Sequence, residues 1–169
     1  MPIKYKKAED LQVQISEIAR TLFPHVRIND VVCLRSFGST SRGTIARCHA
    51  LGKAMQLALG RKGFYVIEVI SGRFDRLSEE EKTKTLIHEL MHIPKSFGGG
   101  FIHHNVVCHR NVEKMYRHYV NLKGRDKEPE KFSKKDIFQD NKICEKDKFN
   151  KEINTRNTNT KKDWFRLRF

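Results

Sequence analysis

The sequence predicts one α+β domain in which helices accompany a short antiparallel sheet. Three observations support this prediction. Apolar residues recur at helical spacing over residues 8–22, β-branched and aromatic runs alternate with turns over residues 30–70, and a capped helical pattern covers residues 78–91. The chain has 169 residues, of which 38% are hydrophobic. This composition suffices for one domain with a core and is too apolar for a wholly disordered protein.

The first predicted element is an amphipathic helix over residues 8–22. Pro24 follows its end, and its apolar side chains share one face: Leu11, Ile15, Ile18, Ala19 and Leu22. Three strand-like runs come next, at residues 31–37, 44–51 and 64–70. Because turn-rich segments separate them, the simplest prediction is an antiparallel meander. Residues 53–59 fit either a strand or a helix.

A helix with a clear beginning follows the sheet. Ser78 and Glu81 have the spacing of a capping box, and three consecutive glutamates suit the positive end of the helix dipole. The helix should end near Met91, because Pro94 biases the preceding residue away from helical angles. Three glycines at 98–100 predict a reversal, and a last helix is expected over about residues 106–120.

Composition divides the chain near residue 120. Residues 1–120 are expected to form the domain, and residues 121–169 a basic, flexible tail that ends with aromatic residues among arginines. The formal net charge is +14, which disfavours polycationic partners and fits nucleic acid, an acidic membrane surface or an acidic protein. No run is long enough for a membrane span, and the first residues do not resemble a signal peptide. The expectation is therefore a soluble, cytoplasmic protein.

Four cysteines are scattered without a CxxC or CxxH pair. A zinc ribbon needs two close-set ligand pairs, and a disulfide framework is uncommon in an intracellular chain of this size. The cysteines are therefore interpreted as buried or incidental thiols.

The residues that carry chemistry lie on the capped helix, in the sequence His88-Glu89-Leu90-Met91-His92. Histidines four residues apart lie one turn apart on the same face, so both imidazoles can bind one metal ion. Glu89 lies about 100° around the helix axis from His88. It can therefore reach a water bound to that metal and act as its general base. The alternative interpretation is two surface histidines on an ordinary amphipathic helix.

The third metal ligand should come from beyond the glycine loop. His103 and His104 are the candidates, and Glu113 is a weaker one. We favour His104 because Asn105 tolerates the left-handed backbone angles of a tight turn into the last helix.

The motif and the segments before it resemble a known family. Residues 65–69, residues 77–80 and the HExxH helix are together similar to the SprT-like zinc metallopeptidases. The segment 88–104, with Ile93-Pro94 after the motif, resembles still more the metallopeptidases of phages and archaea in the same broad group. The resemblance covers about residues 8–120. Asn105 stands where SprT proteins usually have glycine after the third histidine, which leaves the choice of third ligand open. The C-terminal zinc ribbon of many SprT proteins has no counterpart in this sequence.

The resemblance implies a small zincin-like domain with His88, His92 and His104 as zinc ligands and Glu89 as the catalytic acid and base. The leading hypothesis is therefore a Zn²⁺-dependent metallopeptidase that hydrolyses protein or peptide substrates through a Glu-activated, zinc-bound water. The role of the SprT relatives suggests substrates associated with DNA. Basic residues of the predicted sheet region would contribute to such binding, together with the tail: Arg35, Arg42, Arg47, Lys53, Arg61, Lys62, Arg73 and Arg76.

Two other functions remain open. One is a nucleic-acid-binding protein whose metal is absent or structural. A structural zinc site usually has four protein ligands, so His103, Cys108 or Glu113 would have to supply the fourth. The other is a metal-dependent hydrolase that acts on a non-peptide amide.

Overall fold

The computed structural model describes residues 2–124, which form a mixed α+β fold with five helices and a four-stranded sheet. The described elements are, in order, β1 (Lys4–Lys7), α1 (Glu9–Leu22), β2 (Val31–Phe37), β3 (Ala46–Ala50), α2 (Lys53–Ala58), β4 (Tyr65–Ile70), α3 (Ser71–Phe74), α4 (Glu79–Met91) and α5 (His109–Lys123). The α+β class is confirmed. The predicted tail lies, from residue 125 onward, outside the described residues, so the boundary near residue 120 stays a prediction.

The sheet is mixed, so the predicted antiparallel meander is wrong. Its order is β1-β2-β4-β3, with β2 parallel to β4 and both outer pairs antiparallel. The strand β4 is almost wholly buried and therefore occupies a central position, whereas the shorter and more polar β3 lies at an edge. Burial of each strand, rather than its order in the chain, decides the arrangement.

The other edge strand, β1, was not predicted. All four of its residues are exposed, three of them are lysines, and it pairs with β2 through the backbone. Its side chains therefore show no apolar alternation. Lysine on an edge strand disfavours pairing with other chains, which is consistent with this position.

The predicted helices are confirmed, with small changes at their ends. The helix α1 buries the predicted apolar face, and α4 begins with the capping box, since Ser78 accepts from the Glu81 amide and the Glu81 side chain accepts from the Ser78 amide. The last helix, α5, begins at His109 rather than near 106, because residues 103–107 form a turn. Residues 53–58 are helical, and α3 is an additional short helix that the sequence did not predict.

One hydrophobic core joins the sheet to α1, α4 and α5. Its fully buried side chains include Ile15 and Ile18 of α1, Tyr65 and Ile67 of β4, and Leu90 of α4. The core thereby holds α4 in a fixed position between α5 and the edge strand β3. Among residues 2–124, no helix has the length and apolar character needed to cross a membrane.

Candidate metal centre

The helix α4 places the three motif residues on two of its faces. Ile87, Leu90 and Met91 are buried in the core and fix the rotation of the helix about its axis. His88 and His92 consequently point to the same side, one turn apart, and Glu89 points toward β3. The capped first turn stabilises the opposite end of the helix, so its last turn carries the site on a rigid support.

His104 joins the two helical histidines through a loop that two hydrogen bonds close. The Ile102 amide donates to the His92 carbonyl at 2.8 Å, and His92 Nδ1 donates to the Ile102 carbonyl at 2.7 Å. The chain therefore returns to the end of α4, and the next turn brings His104 beside His88 and His92. These three histidines form a group that could hold a metal ion, with one ring nitrogen of each within 4.8 Å of the others.

The distances among the imidazoles fit coordination of one ion. His88 Nε2 and His92 Nε2 lie 3.2 Å apart. Two nitrogens bound tetrahedrally to zinc at about 2.0–2.1 Å would be separated by about 3.3 Å. The ring centroid of His104 lies 5.3 Å from that of His88 and 4.5 Å from that of His92. The donor set therefore matches an ion that favours imidazole ligands.

The protonation states also favour metal binding. Because Nδ1 of His92 donates to a carbonyl, its Nε2 retains the lone pair that a metal needs. Burial, together with the neighbouring histidines, lowers the pKa of His88 to about 3 and that of His92 to about 4. Both rings are neutral at physiological pH, which is the form that coordinates metal ions.

Glu89 lies beside this group in a dry environment. Glu89 is only 6% exposed. Burial raises the pKa of its carboxyl group to about 8, although the Cys48 amide, which donates to the carboxylate, opposes this rise. A carboxyl group with this pKa can exchange a proton near neutral pH, as a general acid and base must. The contact with β3 could not be predicted from the sequence, because it depends on β3 being the edge strand.

The other candidate ligands lie outside the three-histidine group. Glu113 forms ion pairs with Lys84 and Arg117, which occupy its carboxylate. His103 and Cys108 do not belong to the group either. Within residues 2–124, a fourth protein ligand that would close a structural site is therefore not present.

The glycine loop before His103 is fixed by residues that the sequence did not single out. Tyr65 accepts a hydrogen bond from the Gly99 amide and donates one to the Gly100 carbonyl, both at 3.0 Å. Gln56 donates to the Gly98 carbonyl at 3.0 Å and to the Leu51 carbonyl at 2.6 Å. Both side chains stand in ordinary strand or helix patterns, and no sequence signal marks them as supports of this loop.

An apolar cavity of about 240 Å³ lies between the end of α1 and the segment that connects α4 to α5. It is lined by residues that adjoin the metal centre in sequence, Met91, Ile93 and Ile102, together with Phe23 and Met115 from α1's end and α5. His25 and Lys95 supply the polar part of its lining.

Several of the basic residues proposed for nucleic-acid binding form ion pairs within the domain. Arg35 binds Asp10 and Asp75, Arg47 lies 3.7 Å from buried Glu68, and Arg61 lies 3.8 Å from Asp30. Such pairs neutralise part of the positive charge that phosphates would contact. The described structure therefore does not support a nucleic-acid interface on the sheet.

Comparison with known protein families gives a match over most of the chain. The model of a family described as "Putative phage metallopeptidase" matches residues 3–132, which is more than half of the chain. No curated protein and no solved structure matches the chain.

Proposed function

The chain belongs to the phage metallopeptidase family, and on this premise we propose that it is a zinc-dependent endopeptidase. His88, His92 and His104 are the proposed zinc ligands, and Glu89 is the proposed catalytic residue. The observation that carries the proposal is the group of three imidazole nitrogens within 4.8 Å beside a buried carboxyl group. The family membership itself supports a metal-dependent peptidase acting on protein substrates.

Zinc is proposed because of the ligands. Three imidazoles with space for one more ligand are typical of catalytic zinc sites, whereas magnesium and calcium prefer oxygen ligands. When bound, zinc would polarise the peptide carbonyl and acidify the attacking water. The sequence resemblance to SprT-like zinc metallopeptidases implies the same metal and stays an expectation.

Glu89 would move the proton. In its ionised form the carboxylate takes a proton from the attacking water, and it then donates that proton to the nitrogen of the leaving amine. Burial raises the pKa of Glu89 to about 8 in the metal-free protein, and a zinc ion nearby would lower it again, which favours the ionised carboxylate that the first transfer needs. The Cys48 amide holds the carboxylate in place by its hydrogen bond, and the buried position excludes bulk water from it.

The Glu89→Gln variant tests the catalytic role. It should bind zinc as the wild type does, since Glu89 is not one of the ligands, and lose at least about 10³-fold of its peptidase activity. Zinc content by atomic emission and cleavage of a denatured protein such as casein measure the two properties. Normal cleavage by the Gln variant would exclude the mechanism.

Two adjacent histidines provide a matched test of the third ligand. His104→Ala should lower zinc affinity by more than about 100-fold, whereas His103→Ala should leave it nearly unchanged. A competition titration with a chromogenic chelator measures both affinities. The reverse result would make His103 the ligand.

Action on DNA-associated proteins and the division at residue 120 stay proposals. A shortened chain ending at Gly124 that retains zinc-dependent cleavage would support residues 1–120 as the catalytic unit. Salt-sensitive DNA binding by the full chain but not by the shortened one would assign the DNA contact to the tail.

A further inference from the structure

The central strand β4 carries one charged side chain among apolar ones. Glu68 lies between Ile67 and Val69 and is 1% exposed. A buried carboxylate loses its hydration, and charged or hydrogen-bonding partners must compensate for that loss. An apolar side chain of similar volume often stabilises a fold as well as a buried ion pair does. Stability alone therefore does not explain a carboxylate at this position.

The partners of Glu68 include the two basic residues of the edge strand β3. Nε2 of His49 donates to Oε2 of Glu68 at 2.8 Å, and Nη1 of Arg47 lies 3.7 Å from Oε1. The Ser36 hydroxyl contributes a further hydrogen bond to the carboxylate. Burial raises the pKa of Glu68, but these partners outweigh burial and hold that pKa below its usual range. Glu68 is therefore ionised at neutral pH and attracts both β3 side chains.

Arg47 and His49 stand on either side of Cys48 in β3. Because side chains alternate along a strand, Cys48 packs against the core while its two neighbours face the other side of the sheet. In the antiparallel pairing with β4, the backbone groups of residues 47 and 49 face β4, so the Cys48 amide faces outward. That outward amide is the one that donates to Glu89. Glu68 thus binds the two residues that flank the hydrogen-bond donor of Glu89.

The apolar face of β3 specifies the register of this strand only weakly. Its core-facing side chains are small, namely Ala46, Cys48 and Ala50, and the strand has five residues and one neighbour in the sheet. A slip by one residue would turn the Cys48 amide toward β4 and away from Glu89. The buried carboxylate opposes such a slip, because it lies directly opposite Arg47 and a slipped strand would place an alanine or a cysteine there instead.

We propose that Glu68 is a positioning residue of the peptidase. By binding Arg47 and His49, Glu68 fixes the register of β3. That register keeps the Cys48 amide on the Glu89 carboxylate. The inference rests on the proposed peptidase function, in which Glu89 moves the proton. The Glu68 side chain is buried on the face of the sheet opposite to the core, so it acts through β3 and not on the substrate.

The test uses the isosteric variant Glu68→Gln. Glutamine can still accept a hydrogen bond from His49, but it has no charge to attract Arg47. Ile15→Val is the control, because it lowers stability through a fully buried side chain of α1 that belongs neither to β3 nor to its ion pairs. For each protein, kcat and KM are measured separately on fluorescently labelled casein with zinc present. Zinc affinity is measured by the chelator competition titration.

Glu68→Gln should lower kcat about 10-fold and leave KM and zinc affinity within about 2-fold of the wild type, whereas the control should match the wild type in all three. Arg47→Met should act similarly by itself and add less than about 2-fold in the Glu68→Gln background, because both substitutions remove one ion pair. Arg47 is 34% exposed, so Arg47→Met supplies the same comparison if Glu68→Gln does not fold. An unchanged kcat would overturn the proposal and make the ion pair purely structural. A raised KM with unchanged kcat would overturn it in favour of a direct substrate contact.

Hydrogen exchange at the Cys48 amide, measured by NMR on the metal-free protein, separates this inference from the peptidase proposal. The amide points outward and donates to Glu89, so Glu68→Gln should speed its exchange about 10-fold, whereas Ile15→Val should not. Faster exchange without any cleavage by the wild type would leave the positioning role standing and refute the peptidase. Cleavage by the wild type, with exchange at Cys48 that Glu68→Gln does not change, would refute the positioning role alone.

Discussion

Replacement of Glu89 by glutamine should stabilise the metal-free protein while it abolishes activity. Burial raises the pKa of Glu89 from 4.5 to about 8, which means that the folded state disfavours the carboxylate. Between these two values the folded protein holds a proton that the unfolded chain has released. The free energy of unfolding must therefore fall as pH rises through this window. Glutamine is neutral at every pH and escapes this loss.

The size of the effect follows from the two pKa values. The contribution of Glu89 to the free energy of unfolding declines by about 1.4 kcal/mol per pH unit between pH 4.5 and pH 8. At pH 7 the accumulated loss is about 3 kcal/mol, and above pH 8 it levels at about 5 kcal/mol. Any cost of burying the glutamine amide is independent of pH. The pH dependence of the difference in unfolding free energy between the wild type and Glu89→Gln therefore reports on the carboxyl group alone.

Urea unfolding of the chelator-treated wild type and of Glu89→Gln, at pH 5.5, 7.0 and 8.0, measures this change. The gap between the two free energies should widen by about 2 kcal/mol from pH 5.5 to 7.0, which for a domain of this size shifts the relative midpoint by on the order of 1 M urea. Both proteins retain His88 and His92, whose titration therefore cancels in the comparison. Added zinc should narrow the gap, because a nearby cation stabilises the carboxylate. A gap that stays constant with pH would refute the assignment of Glu89 to a buried environment.

Three further predictions concern the supports of the site. Ser78→Ala removes the N-cap acceptor of α4 and should lower the free energy of unfolding by about 1 kcal/mol in a thermal or urea melt, without changing zinc affinity. Gly99→Ala should lower it by about 2–3 kcal/mol and weaken zinc binding, because the new Cβ meets the Leu51 carbonyl and Gly99 has a φ of +85°. Gly100→Ala, whose Cβ would meet nothing within 4 Å, is the matched control and should stay within about 0.5 kcal/mol of the wild type. Tyr65→Phe should cost about 1–3 kcal/mol in the same melts, since the Gly99 amide and Gly100 carbonyl lose their partner; an unchanged melt would mean that water replaces the hydroxyl.

The parts of the fold that local signals specify could be predicted from the sequence. The capping box and proline bounded α4 within a residue or two, and the apolar spacing of α1 identified its buried face. The spacing of His88 and His92 needs only helix geometry, so their common side followed directly. His104 was favoured over His103 by one local turn argument, and the geometry now groups it with the other two histidines.

The strand order depends on interactions that no local pattern records. The strand β4 lies between β2 and β3 because it is the most buried, although β3 separates it from β2 in the chain. The hydrogen bond from Cys48 to Glu89 follows from that order, since only an edge strand has an outward amide to offer. The sequence could not reveal the ion pairs of Arg35 and Arg47 either. The acidic partners of Arg35 are 25 and 40 residues away along the chain, and that of Arg47 is 21 residues away. The basic region therefore looked more available to phosphates than it is.

The reciprocal hydrogen bonds between His92 and Ile102 also provide a reporter of the state of the site. The Ile102 amide exchanges its hydrogen with solvent only when the loop between these residues opens, because that amide donates to the His92 carbonyl. The same opening breaks the bond that orients the His92 ring. The exchange rate at this one position therefore gives the fraction of molecules in which the histidine is not aligned, and it does so without substrate or turnover. Each metal ion added to the solution can be ranked by how far it slows this single exchange rate.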